Sequence, residues 1–259
     1  MDSSHLVTAA EDASQSRGVE LESGRVRKLI ASLQGADQLT PAQVVDIVLD
    51  AEITEDDLMP WADFEHPVSD SYGRKLVFDG GHFEIMVMSW LSGDFSAIHD
   101  HGSTQWGAVQ CFGAGQHYLY GFRDGIVHTA KEDHYSPGSV RAVGNNLIHQ
   151  MGNGGVEPFL SLHVYGVSSP ANSAVTADAR IFDLFEGCIQ HTDGGVFFCL
   201  PDSQINHRVE GVRGDRETVV RHHRHMKNRL ERMLEMSSSI DMKTRLEQVS
   251  DELEKITAT

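Results

Sequence analysis

The segment Gly93-Asp94-Phe95-Ser96-Ala97-Ile98-His99-Asp100-His101 places two imidazoles two residues apart. In extended backbone alternate side chains share a face, so His99 and His101 point one way and Asp100 the other. Two ring nitrogens aimed at one point are metal-ligand chemistry, although a lone His-x-His pair also reads as two ordinary strand histidines. Ser161-Leu162-His163-Val164-Tyr165 repeats the alternation: Ser161, His163 and Tyr165 share one face, and Leu160, Leu162 and Val164 share the apolar other. Gly93 lies six residues before His99, and a later His149 is followed by Asn153 at the fourth position. Three histidines on one ion suit zinc, iron, copper or nickel, so the ligand set alone names no metal.

The elements that must position these side chains are short strands. Between about Tyr72 and Gly166, apolar or alternating stretches are separated by Gly, Asp and Asn. Arg74–Phe78 and His82–Trp90 flank Asp79-Gly80-Gly81, a hairpin turn by composition. Further strands are expected at 107–112, 116–120, 139–143 and 158–165. Many short strands at this spacing predict a mainly β chain, an antiparallel sandwich or small barrel. Ahead of it, Val26-Leu29-Ile30-Leu33 and Val44-Val45-Ile47-Val48-Ala51 read as two helices, the second opened by Thr40-Pro41 as N-cap and first helical position. Beyond it, Ile181–Phe185 and Val196–Leu200 hold at least one more strand, and the chain turns helical from about Asp215. The expected division is a flexible tail at 1–24, an N-terminal helical segment at 25–70, a barrel with its extension at 71–205 and a C-terminal helical segment at 206–259. Ser168-Ser169-Pro170-Ala171 reads as a linker and Ser237-Ser238-Ser239 as a break between helices. Leu246, Val249, Leu253 and Ile256 form a seam that suits either a helical hairpin packed on its own barrel or a homodimer contact.

At 259 residues, 40% hydrophobic and 23% charged, the chain has material for one sizeable core. A formal charge of -17 disfavours nonspecific nucleic-acid or acidic-membrane binding, which needs a positive field. No run of about 18 apolar residues occurs, and the first 25 residues are polar, so neither a membrane span nor a signal peptide is expected and the cytoplasm is the expected location. Cys111, Cys188 and Cys199 are odd in number and widely spaced, which reads as reduced buried thiols. His82, His117, His128 and His134 lack a partner pattern and read as surface or structural. Trp90 and Trp106 read as packing residues, and His222-His223-Arg224-His225 as a solvated basic helix face.

The joint pattern G-x5-H-x-H followed by H-x3-N resembles the imprint of a cupin barrel. Residues 72–165 further resemble the cysteine dioxygenases, thiol dioxygenases of the cupin superfamily. The resemblance is carried by Tyr72-Gly73-Arg74-Lys75-Leu76-Val77, Trp90 with Gly93, Ile98-His99-Asp100-His101, His149 with Asn153, and Ser161 through Tyr165. It implies a small antiparallel β-barrel or jelly roll with helical extensions, and a non-haem Fe(2+) held by His99, His101 and His149. Its implied reaction joins a small thiol and O2 to give a sulfinic acid, with L-cysteine as the substrate. Arg74, aided by Tyr72, would hold the substrate carboxylate. Tyr165 would hydrogen-bond near the bound oxygen or carboxylate, with His163 holding Tyr165 and Ser161 holding His163. Lys75 falls on the opposite face from Arg74 and cannot replace it.

Three departures from the family pattern stand out. No cysteine occurs in Gly93–Ser96, so the cysteine–tyrosine cross-link of many animal members is not expected at Tyr165. The acidic residue that other cupins carry after the first histidine pair is absent, which favours three histidines over three histidines and a glutamate. Gly144 lies five residues before His149 rather than next to it. A rival within the class is oxidation of 3-mercaptopropionate or another small thiol acid. From other classes come a non-catalytic metal-binding cupin sensor and, more weakly, a zinc hydrolase or isomerase cupin, which would need a general-base carboxylate near the ligands.

Overall fold

A computed structural model describes residues 23–36, 38–168, 175–236 and 238–258. Most of the expected tail, Ser169–Ala171 of the linker and Ser237 of the break lie outside the described residues.

The N-terminal helices form where their end signals stand. Helix α1 (Gly24–Gln34) starts at Ser23, whose hydroxyl accepts from the backbone N–H of Arg25 and Val26. Helix α2 (Pro41–Ala51) has Pro41 in its first turn and a capping box in which Thr40 and Gln43 bond each other's backbone. A short helix α3 (Glu55–Leu58) and a 3-10 turn (Met59–Trp61) follow. Val26, Leu29, Leu33, Val44, Val48 and Leu58 are buried in one cluster with Phe83, Ile85, Val87, Leu160, Leu162 and Val164. The helices therefore cover the outer, apolar face of a sheet.

Strands β1 (Gly73–Asp79), β2 (Phe83–Trp90), β3 (Trp106–Cys111), β4 (Gln116–Arg123), β5 (Ile126–His134), β6 (Val140–Gly144), β7 (Ile148–Gly152), β8 (Phe159–Gly166), β9 (Ala179–Asp183), β10 (Cys188–Thr192), β11 (His207–Glu210) and β12 (Arg213–Gly214) build two facing layers. The first layer is antiparallel, in the order β1-β2-β8-β3-β6. The expected hairpin joins β1 to β2, with Gly81 at φ 80°, a conformation open to glycine at little cost. The second layer runs β12-β5-β4-β7 and β9-β10-β11. Its two parts are joined by residues 94–101, which bridge to β7 at Phe95↔Gly152 and His99↔His149 and to β9 at His99↔Ile181. A core cluster between the layers takes Met86, Met88, Val109 and Tyr165 from the first and Phe95, Met151 and Ile181 from the second. This is a cupin-type double-stranded barrel flanked by N- and C-terminal helices.

The further strand expected among Ile181–Phe185 and Val196–Leu200 is present as β9, whereas Val196–Leu200 is an irregular turn that buries Val196, Phe197, Phe198 and Leu200 in the barrel core. The structure departs from the sequence reading in two places. The unforeseen β5 is an outer strand whose lysine, acids and histidines leave no alternating apolar signal. His222 and His223 are buried rather than solvated. They sit in helix α4 (Arg216–Met236), which pairs with helix α5 (Ile240–Thr257) and packs Met226 and Leu230 into the barrel core.

Candidate metal centre and cavity

His99 reaches the barrel interior through pairing rather than through a regular strand. Its N–H donates to His149 O and it accepts from His149 N–H, both at 2.9 Å. That mutual exchange sets the two residues directly opposite each other. His101 follows two residues later on the same side. The outcome is that His149 Nε2 lies 3.1 Å from His99 Nε2 and 3.2 Å from His101 Nε2. Neighbouring sites around an ion with bonds of about 2.1 Å lie about 3 Å apart, so this spacing suits a three-nitrogen set.

The protonation of the three rings suits a metal as well. His99 Nδ1 lies 2.9 Å from Ala97 O, an acceptor only, so Nδ1 carries the proton and Nε2 presents its lone pair. His149 Nδ1 lies 2.8 Å from the buried His117 Nε2. With Nε2 of His149 facing the centre, Nδ1–H donates to His117, which then carries its own proton on Nδ1. His101 Nδ1 is buried without a hydrogen-bond partner among the described residues. Burial pushes His99 down to about 4. His101 and His149 are held well below the ordinary value, first by burial and then by the neighbouring imidazoles. All three are neutral near pH 7, the form that ligates.

Beside the triad, β8 carries a line of hydrogen bonds. Trp90 Nε1 donates to Ser161 Oγ at 2.8 Å, Ser161 Oγ lies 2.8 Å from His163 Nε2, and His163 Nδ1 lies 2.7 Å from Tyr165 Oη. An indole N–H only donates, so Ser161 accepts from Trp90 and turns its own proton to His163 Nε2. His163 then donates from Nδ1 to Tyr165, and the phenol proton is left free to face the cavity. His163 is neutral, pushed down to about 3 by burial and secondarily by His99 and Arg74. Burial raises Tyr165 far above the ordinary phenol value, so it remains a donor.

Tyr72, Arg74, Trp90, His99, His101, His149, His163 and Tyr165 line one cavity. Its free volume is ≈ 40 Å³, against about 10–15 Å³ for a single water, so the cavity suits a molecule of a few heavy atoms. Arg74 is half-buried, and among the described residues no hydrogen bond or ion pair engages its guanidinium. Lys75 turns away and pairs with Asp63 at 3.4 Å. Tyr72 stacks on Trp90 with ring centroids 4.6 Å apart, and burial pushes its phenol up to about 12.

The structure thus gathers His99, His101, His149, Ser161, His163, Tyr165, Tyr72 and Arg74 around one space. Sequence reasoning undervalued two residues. Trp90 packs as expected and also sets the direction of the Ser161 line. His117, read as surface or structural, is buried behind His149 and bonded to it. Its placement two residues from no other site residue leaves no local signal; only the register Leu119↔His149 and His117↔Met151 between β4 and β7 brings it close. His128 and His134 are exposed.

Among solved structures, the chain is similar to an uncharacterised double-stranded β-helix protein of Klebsiella pneumoniae, at 16% identity over 44% of this chain and 90% of that one, TM-score 0.34. It is similar also to a cupin-superfamily sugar phosphate isomerase of Silicibacter pomeroyi, at 18% identity over 56% of this chain and 82% of that one, TM-score 0.37. A comparison with curated proteins gives no match. The profile described as cysteine dioxygenase type I matches residues 20–178, more than half of the sequence and all of the residues lining the cavity except Ala179, Gly194 and Val196. The chain belongs to the cysteine dioxygenase type I family.

Proposed function

We propose that this protein is an iron-dependent thiol dioxygenase acting on a small thiol acid, L-cysteine first among them. The overall change is R–SH plus O2 to R–SO2H, with both oxygen atoms ending on sulfur and no external reductant consumed. Family membership supports a metal-dependent enzyme of dioxygenase type. The observation that carries the finer reading is one small cavity lined by three neutral imidazole donors and by Arg74, whose guanidinium makes no hydrogen bond or ion pair among the described residues.

His99, His101 and His149 would hold a ferrous ion, which supplies the one-electron chemistry needed to couple dioxygen to a thiolate. Being neutral, the three imidazoles would leave a bound ion's charge uncompensated, which would favour the ionised form of the substrate sulfur. Arg74 pairs with the substrate carboxylate through a charge-assisted fork. Tyr165 offers its phenol proton to an oxygen atom in the cavity, and the Trp90–Ser161–His163 line keeps that proton pointing inward. The apolar walls supplied by Met88, Met151 and Val196 limit water and strengthen these polar contacts.

The test is oxygen uptake by anaerobically iron-loaded protein with a panel of small thiols, followed by mass analysis of the product. Two oxygen atoms gained by cysteine support the proposal. Faster turnover of 3-mercaptopropionate moves the substrate within the class, and iron binding without oxygen uptake on any thiol overturns the enzymatic reading.

A further inference from the structure

Next to the turn that carries Thr176 and Ala179 of the cavity wall, three side chains that the buried centre does not use come together. Asp178, His191 and His207 each offer one donor atom, and these atoms lie within 4.8 Å of one another. The backbone brings them there. His191 and His207 are directly opposite in the β10–β11 ladder, with ring centroids 3.8 Å apart. Asp178 lies in the turn before β9, with Oδ1 2.6 Å from His191 Nδ1. Asp193 accepts the N–H of Asp178 at 2.8 Å and adds a second carboxylate beside the group. Arg180 stands opposite His191 in the β9–β10 ladder, but its guanidinium is engaged by Asp100 at 2.5 Å. An ion pair between Asp178 and His191 alone leaves the stacked His207 unexplained, and exposed pairs contribute only about 0–1 kcal/mol.

We propose that Asp178, His191 and His207 form a second, solvent-accessible site for a divalent transition-metal ion of the zinc class. Two imidazoles and one carboxylate match Zn(2+), Ni(2+) or Cu(2+) and not the all-oxygen preference of Mg(2+) or Ca(2+). The site is linked to the cavity wall through one turn. Thr176 and Ala179, on either side of Asp178, line it. The same turn and the start of β9 meet the segment of the histidine pair: Ser103 N–H donates to Ala177 O at 2.9 Å and Asp100 N–H to Arg180 O at 3.0 Å. A cation shared by the turn, β10 and β11 ties this part of the cavity wall to the second layer and restrains its opening. Asp178 is the last residue of the family match, and His191 and His207 lie beyond it. It does not depend on which ion the buried triad holds.

The experiment is zinc uptake by the tag-free full chain, stripped with chelator and dialysed against Zn(2+), with bound zinc measured by atomic emission. Wild type is expected to carry one equivalent more than His191→Ala and His207→Ala, and Asp178→Asn to weaken that equivalent. His149→Ala, which removes a buried donor, keeps that equivalent. Hydrogen exchange across 175–180 slows on zinc addition in wild type and not in His207→Ala. Equal zinc content in wild type and in the His191 and His207 variants overturns the proposal, as does loss of the second-site equivalent in His149→Ala.

Discussion

Trp90 gives the Ser161–His163–Tyr165 line its direction, because an indole has a proton to give and no lone pair to offer in the ring plane. Trp90→Phe removes that constraint while keeping an aromatic ring against Tyr72. Metal content is expected to stay unchanged while kcat falls by about tenfold, the usual scale for a group that orients another; a parallel loss of iron would assign Trp90 to the metal site instead. Arg74 and His149 separate in the same way. His149→Ala is expected to lose the metal. Arg74→Ala keeps it and raises KM for thiol carboxylates by roughly 10–100-fold, the scale of a hydrogen bond to a charged group. A thiol without a carboxylate should be indifferent to Arg74→Ala, which steady-state kinetics on the two substrates will show.

At the scale of elements, α4 is bound to the segment that carries the histidine pair. Arg232 Nη1 donates to Asp94 Oδ1 at 2.6 Å, and Asp94 is buried and also accepts from Leu91 N–H at 2.7 Å. His225 packs on Phe95 with centroids 3.9 Å apart. Replacing Arg232 by Met is expected to cost about 1–3 kcal/mol in denaturant unfolding, because a buried carboxylate loses its main cation. His225 is pushed down to about 4, first by burial and then by Arg221 and Arg224. A histidine depressed in the folded state takes up its proton first in the unfolded chain. Its contribution is therefore intact above about pH 6.5 and is lost as pH falls toward 4, at up to about 1.4 kcal/mol per unit. His225→Leu should flatten the stability profile in that window, with unfolding at pH 7, 6 and 5 as the measurement. His66 works in the opposite sense. Although burial lowers it, its hydrogen bond to Asp94 leaves it raised, so its contribution is present in acid and fades as pH rises through that raised value.

For the whole molecule, the C-terminal helices are part of the same core as the cavity walls. Met226, Leu230 and Val249 share a buried cluster with Trp90, Phe95, Met151 and Tyr165. Deleting residues 216–259 would expose that cluster, and the shortened chain is expected to lose cooperative unfolding in calorimetry; a sharp transition would show that the barrel stands alone. Among the described residues no helix is long and apolar enough to cross a membrane. The amino-acid sequence by itself determined which side chains share a face along β1 and β8, where α2 starts, and that the region after Tyr72 is built of short strands. These follow from backbone geometry over a few residues and are written locally in periodicity and caps. Tertiary structure alone decided that His99 sits opposite His149, that His117 stands behind His149, that Trp90 reaches Ser161, and that His222 and His223 are buried. It also decided that Val196–Leu200 fills the core without forming a strand. Each depends on how distant strands register and which surfaces α4 covers, and two segments with the same local pattern meet different partners once the barrel closes.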